Sequence, residues 1–192
     1  AEVFANVAKT IFRGDEEREG DITLTMEPHV ESFLGQELAL ISDTWKSDSV
    51  GGIVINPKTG AVIAMGALPS FNPNTFNTEK NQSVFTNPIV ESVFEMGSII
   101  KPLTMAAGID SGAVTTDTEY YDAGFVDLDG AHIRNFDGKG RGRVPMQEIL
   151  NQSLNTGAVF IEKKPGNEKF LSYIEKFGFD EKTDIDLPNE AI

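Results

Sequence analysis

The sequence predicts a mixed α/β fold of the α+β type, with a helical lobe and an early antiparallel hairpin. Three observations support this prediction. Residues 28–45 have the apolar spacing of an amphipathic helix. Two apolar runs within residues 51–67 flank a turn sequence, as in a hairpin. A third apolar segment, residues 103–109, follows a Gly-Ser pair and is predicted to be helical.

Composition limits the classes of function that the chain can have. With 192 residues, of which 40% are hydrophobic, it is long enough to bury one sizeable core. Its 16 basic and 30 acidic residues give a net charge of −14, which argues against nucleic acid as a partner. The absence of cysteine excludes disulfides and thiolate catalysis. The two histidines, His29 and His132, are far apart, so we predict no metal site and no cofactor.

The first elements are two predicted helices. Residues 1–12 carry apolar side chains at helical spacing, and residues 15–19 are predicted to be a solvated linker. The second helix, Pro28 to Trp45, has an apolar side that we expect to form part of the core. This side consists of Val30, Phe33, Leu34, Leu38, Ile41 and Trp45.

The hairpin of residues 51–67 contains a Lys-Thr-Gly sequence in its turn. Lys58-Thr59-Gly60 follows Asn56-Pro57 between the two apolar runs, which is turn chemistry. A hairpin alone is marginally stable in water, so its free edge and inner apolar face would need covering by other protein. We assign Ile53, Ile55, Val62 and Ala64 to that inner face.

The segment around Ser98 has the features of a serine nucleophile at the start of a helix. A serine hydroxyl is a weak nucleophile and needs a base within hydrogen-bond reach. If the helix begins near Ser98, Lys101 projects from the same face one turn later. Gly97 allows a sharp entry, and Pro102 makes the first turn irregular because it lacks an N–H. Ser-x-x-Lys is also frequent by chance, and the alternative is a capping serine beside a solvated lysine.

Three further elements follow. Residues 125–135 predict a small hairpin that turns at Asp129-Gly130. The stretch that starts at Val144 predicts a helix, a short connection through Ser153-Leu154-Asn155, and a second helix. Gly166 and Asn167 precede a last helix that Gly178 ends. Its inward residues are predicted to be Phe170, Leu171, Ile174 and Phe177.

Ser-x-Asn occurs twice, and position in the chain separates the two instances. Ser70-Phe71-Asn72 lies upstream of Ser98 in a loop rich in proline and asparagine, so we interpret it as structural. Ser153-Leu154-Asn155 lies downstream, between two predicted helices. Capping of these helices is the alternative interpretation of Ser153 and Asn155, and it is compatible with catalysis.

Together these residues resemble the transpeptidase domain of a class B penicillin-binding protein. The resemblance covers nearly the whole chain and rests on matches that occur in the same order as in the family. The matching stretches are residues 20–25, 52–65, 68–76, 94–102, 153–155 and 177–188. One departure is Met96, where the family usually has proline. The resemblance implies the penicillin-binding/β-lactamase-like transpeptidase fold.

The resemblance also implies roles for four residues. Ser98 would be the acylated nucleophile, and Lys101 would accept its proton. That role requires a neutral amine, and therefore a pKa lowered by burial or by a neighbouring cation. Ser153 would relay a proton towards the leaving amine. Asn155 would hold both Lys101 and the peptide group of the substrate.

The third motif of the family, a Lys-Thr-Gly or Lys-Ser-Gly after Ser-x-Asn, does not follow Asn155. Lys58-Thr59-Gly60 precedes Ser98, so we assign it no catalytic role. We therefore expect a longer parent polypeptide. Residues 1–20 would connect to a pedestal or anchor outside this sequence, and residues 21–192 would form a partial transpeptidase domain that lacks its C-terminal strands.

The resemblance implies a peptidoglycan D,D-transpeptidase that acts on stem peptides, is acylated by β-lactams and serves either cell shape or cell division. Its further partners would be the missing C-terminal part of the domain and other cell-envelope synthesis proteins. It would work at the outer face of the cytoplasmic membrane, anchored by a segment outside this sequence. The alternatives are a non-catalytic envelope assembly module, because the third motif is missing, and a β-lactamase or β-lactam sensor relative.

Overall fold

The computed structural model describes residues 23–192. The predicted helix at residues 1–12 and the linker at residues 15–19 lie outside this range. The chain divides into two compact units, which we describe in turn. The main segment of the first unit ends at Val93, and this unit also includes Lys182–Ala191. The second unit is formed by Phe94–Glu181 with Ile192.

The first unit is built on a helix and a hairpin. Helix α1 spans Pro28–Trp45, and strands β1 (Val50–Ile55) and β2 (Val62–Leu68) pair antiparallel. The N–H groups of Thr59 and Gly60 both donate to the carbonyl of Asn56, which closes the connecting turn. The predicted helix and hairpin are therefore confirmed, and Lys58-Thr59-Gly60 lies in the turn.

Helix α1 packs on one face of the hairpin because that face carries small residues. A Cβ on Gly52 would lie 2.9 Å from Cδ1 of Leu34. Leu38 and Ala64 are buried between the helix and the strands. The carboxylate of Glu31 accepts a hydrogen bond from the Met65 N–H at 3.0 Å.

The predicted core side of α1 is wrong in part. Of its six residues, only Leu38 is buried, and the side chains of Phe33, Ile41 and Trp45 are exposed. The close approach of α1 to Gly52 turns Leu34 and Leu38 towards the sheet and leaves these larger side chains outside the contact.

The residues predicted to share the inner face of the hairpin lie on both of its faces, so this prediction is wrong in part. Ala64 pairs with Val54, whereas Ile53 pairs with Met65 on the opposite face. Ala64 is fully buried, but Ile53 and Ile55 are 41% and 48% exposed. The covering of Ile53 and Ile55 by other protein stays a prediction.

Between β2 and the end of the main segment at Val93, the first unit contains short helical turns that begin at asparagine caps. Two 3₁₀ turns span Pro73–Thr78 and Gln82–Phe85, and helix α2 spans Pro88–Glu91. In each, the preceding asparagine side chain accepts a backbone N–H. Asn72 is one of these caps, in agreement with a structural role of the upstream Ser-x-Asn.

The second unit begins with a 3₁₀ turn, Gly97–Ile100, that leads directly into helix α3, Lys101–Asp110. The helices and strands that follow are β3 (Glu119–Asp122), β4 (Phe125–Leu128), β5 (Ala131–Arg134), β6 (Gly142–Pro145), α4 (Met146–Asn151), α5 (Asn155–Lys163) and α6 (Asn167–Lys176). In the described part of the chain, no helix is both long and apolar enough to cross a membrane.

The strands of this unit form two antiparallel pairs. The predicted hairpin is confirmed as β4 and β5, which turn through Asp129 and Gly130, both with positive φ. The pairing of β3 with β6 was not predicted. In this pair Tyr120 lies opposite Val144, and both side chains are buried. The prediction of a helix from Val144 is therefore wrong at its start, and the helix begins at Met146.

A single apolar cluster lies between the β3–β6 pair and helices α3, α4 and α5. Its buried members are Met105, Val114, Tyr120, Val144, Met146, Ile149, Leu154 and Ile161. Helices α3 and α5 approach closely because α3 has a glycine at the contact. A Cβ on Gly108 would lie only 2.5 Å from Cγ2 of Ile161. This packing fixes α3 against α5, which together carry two of the predicted site residues.

Helix α6 is confirmed, together with its end at Gly178, whose φ is +84°. Its inward face is narrower than predicted, because Leu171 and Phe177 are exposed while Phe170 and Ile174 are partly buried. Polar contacts attach α6 to the end of α3 instead. The Tyr173 hydroxyl donates to Asp110 at 2.7 Å, and this carboxylate raises the pKa of the tyrosine.

Candidate active site

The structure brings together the four residues that the sequence predicts as a site. Ser98 lies in the 3₁₀ turn, Lys101 is the first residue of α3, Ser153 lies between α4 and α5, and Asn155 is the first residue of α5. Nζ of Lys101 lies 3.2 Å from Oγ of Ser98 and 2.9 Å from Oγ of Ser153. It also lies 2.6 Å from the Ser153 carbonyl oxygen and 2.7 Å from Oδ1 of Asn155.

Local backbone geometry explains why Ser98 and Lys101 meet. Gly97 has a φ of +60°, a conformation that glycine adopts without a steric penalty. In the 3₁₀ turn that follows, residues three apart lie directly above one another. The Lys101 N–H donates to the Ser98 carbonyl. In a regular α-helix the N–H of residue 102 would donate to this carbonyl, but Pro102 has no N–H. The predicted irregular first turn is thus confirmed.

Ser153 reaches Lys101 through an unusual backbone conformation. Its φ is +53°, in the left-handed region that few non-glycine residues occupy. The link is held by Leu154, whose N–H donates to the carbonyl of Ile149 at 2.9 Å. In this conformation both the hydroxyl and the carbonyl oxygen of Ser153 contact the same lysine nitrogen. Residues in such strained conformations often cluster at active sites.

Lys101 is buried without a carboxylate partner. It is 6% exposed, and none of the ion pairs found in residues 23–192 involves it. Burial lowers the pKa of its amine below the ordinary value of 10.5, because the charged form loses hydration. The neutral form, which has a lone pair, is therefore more populated than in an exposed lysine.

The side-chain amide of Asn155 is oriented from both ends. Its Nδ2 donates to the carbonyl oxygen of Arg134 at 2.8 Å, at the end of β5. Its Oδ1 therefore faces Lys101, where it accepts a hydrogen bond. Because Arg134 contributes only its backbone carbonyl, no side-chain pattern in the sequence indicates this contact.

Three buried polar residues that the sequence analysis missed lie behind Asn155. Asp122, Asn135 and Thr156 are 1%, 3% and 6% exposed and are joined by hydrogen bonds. Asn135 and Thr156 each adjoin a site contact, Arg134 and Asn155 respectively. This adjacency is the one signal that could have identified them.

The described residues contain no group of three or more histidine, aspartate or glutamate side chains that could hold a metal ion. His132 lies 2.6 Å from an oxygen of Asp127 on the exposed β4–β5 hairpin. His29 is exposed at the start of α1.

The second unit presents a serine, a buried lysine and two further polar side chains within one hydrogen-bonded group.

Comparison with protein families agrees with this arrangement. The model of the penicillin-binding protein transpeptidase domain matches residues 50–192. The chain therefore belongs to the penicillin-binding protein transpeptidase family, and the predicted family and fold class are confirmed.

Two curated relatives are similar over most of the chain. Stage V sporulation protein D of Bacillus subtilis is 32% identical over 172 residues, which are 89% of this chain and 27% of that protein. The peptidoglycan D,D-transpeptidase MrdA of Acinetobacter baumannii is 30% identical over 205 residues, covering 100% of this chain and 29% of that protein. The chain thus spans less than a third of the length of these relatives.

Two solved structures share the fold. Pseudomonas aeruginosa PBP2 in complex with WCK 5153 superposes with a TM-score of 0.75 at 27% identity, over 89% of this chain and 40% of that chain. A peptidoglycan glycosyltransferase from Burkholderia ambifaria gives a TM-score of 0.74 over 88% of this chain and 49% of that one. At 24% identity, the second likeness concerns the fold alone.

Proposed function

We propose that this chain belongs to a peptidoglycan D,D-transpeptidase that cross-links stem peptides through an acyl-enzyme on Ser98. The observation that carries the proposal is the buried amine of Lys101, 3.2 Å from the Ser98 hydroxyl and surrounded by neutral groups. Family membership supports it, as does the name peptidoglycan D,D-transpeptidase of the Acinetobacter baumannii relative.

In the first step, Lys101 acts as the general base. A neutral amine has two hydrogens and one lone pair. The two shortest contacts of Nζ are to the Ser153 carbonyl and to Oδ1 of Asn155, which can only accept hydrogen bonds. These contacts occupy both hydrogens and leave the lone pair for a hydroxyl. The Ser98 proton moves to Nζ as Oγ bonds to the carbonyl carbon of the D-Ala-D-Ala amide.

In the second step, Ser153 returns the proton. Its hydroxyl lies 2.9 Å from Nζ and can accept a proton there while it donates its own to the leaving nitrogen. The C–N bond breaks, D-alanine departs and the acyl group remains on Ser98. The amine of a second stem peptide then attacks this ester and loses its proton through the same groups. The new amide forms, and Ser98 regains its hydrogen.

The tetrahedral intermediates need donors for their oxyanion. The N–H of Ser98 lies at the start of the 3₁₀ turn, where backbone N–H groups have no partner within the turn. We assign this N–H to the oxyanion hole. A second donor would come from the strand of the third motif, outside this sequence. Strands outside this sequence would pair with the β1–β2 hairpin and cover Ile53 and Ile55, which are exposed.

β-Lactams would acylate Ser98 as mimics of the D-Ala-D-Ala terminus. The name of the Acinetobacter baumannii relative refers to peptidoglycan, which supports assigning this protein to the outer face of the cytoplasmic membrane. Its anchor would lie outside this sequence. Its further partners would be other cell-envelope synthesis proteins.

Turnover of a stem-peptide donor tests the proposal. The full-length protein is incubated with a pentapeptide that ends in D-Ala-D-Ala and with an amine acceptor, and mass spectrometry follows D-alanine release and the transfer product. Both should appear with the wild type and disappear with Ser98→Ala. Lys101→Arg should also lose them, because a guanidinium stays charged.

Ser92→Ala is the matched control, since Ser92 is an exposed serine of the first unit, and it should retain both products. Release of D-alanine without a transfer product would identify a hydrolase, a D,D-carboxypeptidase, instead, and rapid turnover of benzylpenicillin would identify a β-lactamase. Unchanged turnover in Ser98→Ala would refute the proposal.

A further inference from the structure

A buried carboxylate lies behind the Ser-x-Asn segment without touching the lysine. Asp122, the last residue of β3, is 1% exposed. Its Oδ1 accepts hydrogen bonds from the Gly124 N–H at 2.9 Å and from the Thr156 hydroxyl at 2.8 Å. Its Oδ2 accepts from the Arg141 N–H at 3.1 Å, and both oxygens lie 2.9 Å from Nδ2 of Asn135. Every one of these partners is neutral.

Asp122 and the carbonyl oxygen of Lys139, which lies 3.1 Å from Nδ2 of Asn135, together determine which way the Asn135 amide faces. An ionised carboxylate only accepts hydrogen bonds, so the amino end of Asn135 must face it. The carbonyl end then faces the other way. Oδ1 of Asn135 accepts from the Thr156 N–H at 3.3 Å. A flipped amide would place two donors against each other at Thr156 and two acceptors against each other at Asp122.

The Asn135–Thr156 contact stabilises the start of helix α5. N–H groups in the first turn of a helix have no partner within the helix, and here the N-cap residue, Leu154, provides no side-chain acceptor. Asn135 provides that acceptor from another segment of the chain. The residue before each of these two is joined as well, because Nδ2 of Asn155 donates to the carbonyl oxygen of Arg134. Two adjacent residues of α5 are thus attached to two adjacent residues at the end of β5.

The hydroxyl of Thr156 completes the attachment. Its single proton is directed to Asp122 at 2.8 Å, so the Tyr120 hydroxyl, 3.3 Å away, is the donor in its contact with Thr156. Burial raises the pKa of Tyr120 to about 12, which keeps this donor protonated. The side chain that follows Asn155 is therefore held by hydrogen bonds on two sides.

We propose that Asp122 is a positioning residue that acts through Asn135 and Thr156 to fix the start of α5, so that Oδ1 of Asn155 holds Lys101. This inference rests on the proposed function, because its consequence is faster acylation of Ser98. Asp122 itself contacts neither the lysine nor the nucleophile. Its effect is expected on the rate constant of acylation at saturation, through the geometry of the general base.

Asp122→Asn in the full-length protein tests the inference. The new amide replaces one acceptor oxygen by a donor, which opposes either the Gly124 N–H and the Thr156 hydroxyl or the Arg141 N–H. In either orientation one of the two contacts with Nδ2 of Asn135 is also lost. The first-order rate constant of acylation by saturating benzylpenicillin should fall about tenfold to a hundredfold, the range expected for a misplacement of about 1 Å. Asp127→Asn is the matched control, because Asp127 is exposed on the same unit. It should acylate at the wild-type rate.

A double-mutant cycle separates positioning from general destabilisation. If Asp122 acts through Asn155, Asp122→Asn should reduce the rate little further in an Asn155→Ala background. Full multiplication of the two losses would overturn the inference.

Thr156 provides a second pair of variants should Asp122→Asn fail to fold. Thr156→Val keeps the shape but loses the donor to Asp122, and should slow acylation about tenfold or more. Thr156→Ser keeps the hydroxyl and should restore most of the rate. Equal rates in the two variants would overturn the inference.

Failure of the inference is distinct from failure of the proposed function. A wild-type protein that benzylpenicillin does not acylate would refute both. A wild-type protein that is acylated, beside an Asp122→Asn variant that reacts equally fast, would refute the positioning role alone.

Discussion

Nζ of Lys101 lies 2.7 Å from Oδ1 of Asn155, although the two residues are 54 positions apart in the chain. Each is the first residue of its helix, α3 or α5. The two helices pack closely where Gly108 meets Ile161, and this contact brings a buried amine to a fixed amide. The proposed chemistry of Ser98 depends on this relationship, because the amide is neutral and leaves the amine free to lose its proton.

Replacing Asn155 by aspartate should reverse this effect. A carboxylate beside Nζ favours the ammonium form and so raises the pKa of Lys101. At a pH below that pKa, each unit of increase lowers the neutral fraction about tenfold. Acylation by benzylpenicillin near pH 7 should slow by at least about tenfold, and its pH profile should move to higher pH. A profile that stays in place would show that Asn155 does not set the charge of Lys101.

The wild-type protein should acylate faster as the pH rises. Burial lowers the pKa of Lys101 from 10.5, and the neutral amine is the reactive form. The rate constant should therefore increase through a midpoint below pH 10.5 and level off above it. Stopped-flow measurements over the pH range in which the protein stays folded would define this midpoint. A midpoint at or above 10.5 would contradict the assignment of Lys101 as the base.

Gly108→Ala should destabilise the second unit. The added methyl group would lie 2.5 Å from Cγ2 of Ile161 and 3.0 Å from Cγ2 of Val114. Overpacking of this kind costs about 1–3 kcal/mol. Urea denaturation would measure the free energy of unfolding.

The control for this variant is Gly35→Ala in the interior of α1, where a Cβ would have no atom within 4 Å. There the higher helix propensity of alanine should stabilise the protein by about 0.5–1 kcal/mol. A neutral Gly108→Ala would mean that α3 and α5 are less closely packed than described.

Arg141→Gln should raise the pKa of Asp137. The hydrogen bonds from the Arg141 side chain and from the Lys139 N–H lower this pKa from 3.8 to about 2. Removing the guanidinium should return it part of the way to 3.8, since the Lys139 N–H still donates. A lowered pKa stabilises the folded state above pH 3.8, and this contribution is lost as the pH falls to about 2. NMR titration of the carboxyl carbon measures the change, and an unchanged pKa would contradict the pairing.

Local signals predicted much of the fold and the candidate site. Spacing of three residues was enough to bring Ser98 and Lys101 together, and the Asp129-Gly130 turn was enough to locate the β4–β5 hairpin. The order of the motifs selected Ser153 and Asn155, which the structure indeed places against Lys101.

Features that depend on distant pairing were missed. The predicted helix includes Val144 and Pro145, the last two residues of strand β6, because the partner strand β3 is twenty or more residues earlier in the chain. Asp122 carries no local motif, and its burial arises only when Asn135 and Thr156 fold against it. The exposed position of Trp45 was equally unpredictable, because helical spacing indicates which side chains share a face but not how far a neighbouring sheet covers that face.

The central claim is that Ser98 is a nucleophile activated by Lys101. Intact-protein mass spectrometry after incubation with benzylpenicillin, beside a Ser98→Ala variant, tests it most directly. We predict one stable adduct on the wild type, located by peptide mapping to Ser98 and absent from the variant. An adduct that persists in Ser98→Ala, or a full-length wild-type protein that forms none, would contradict the account.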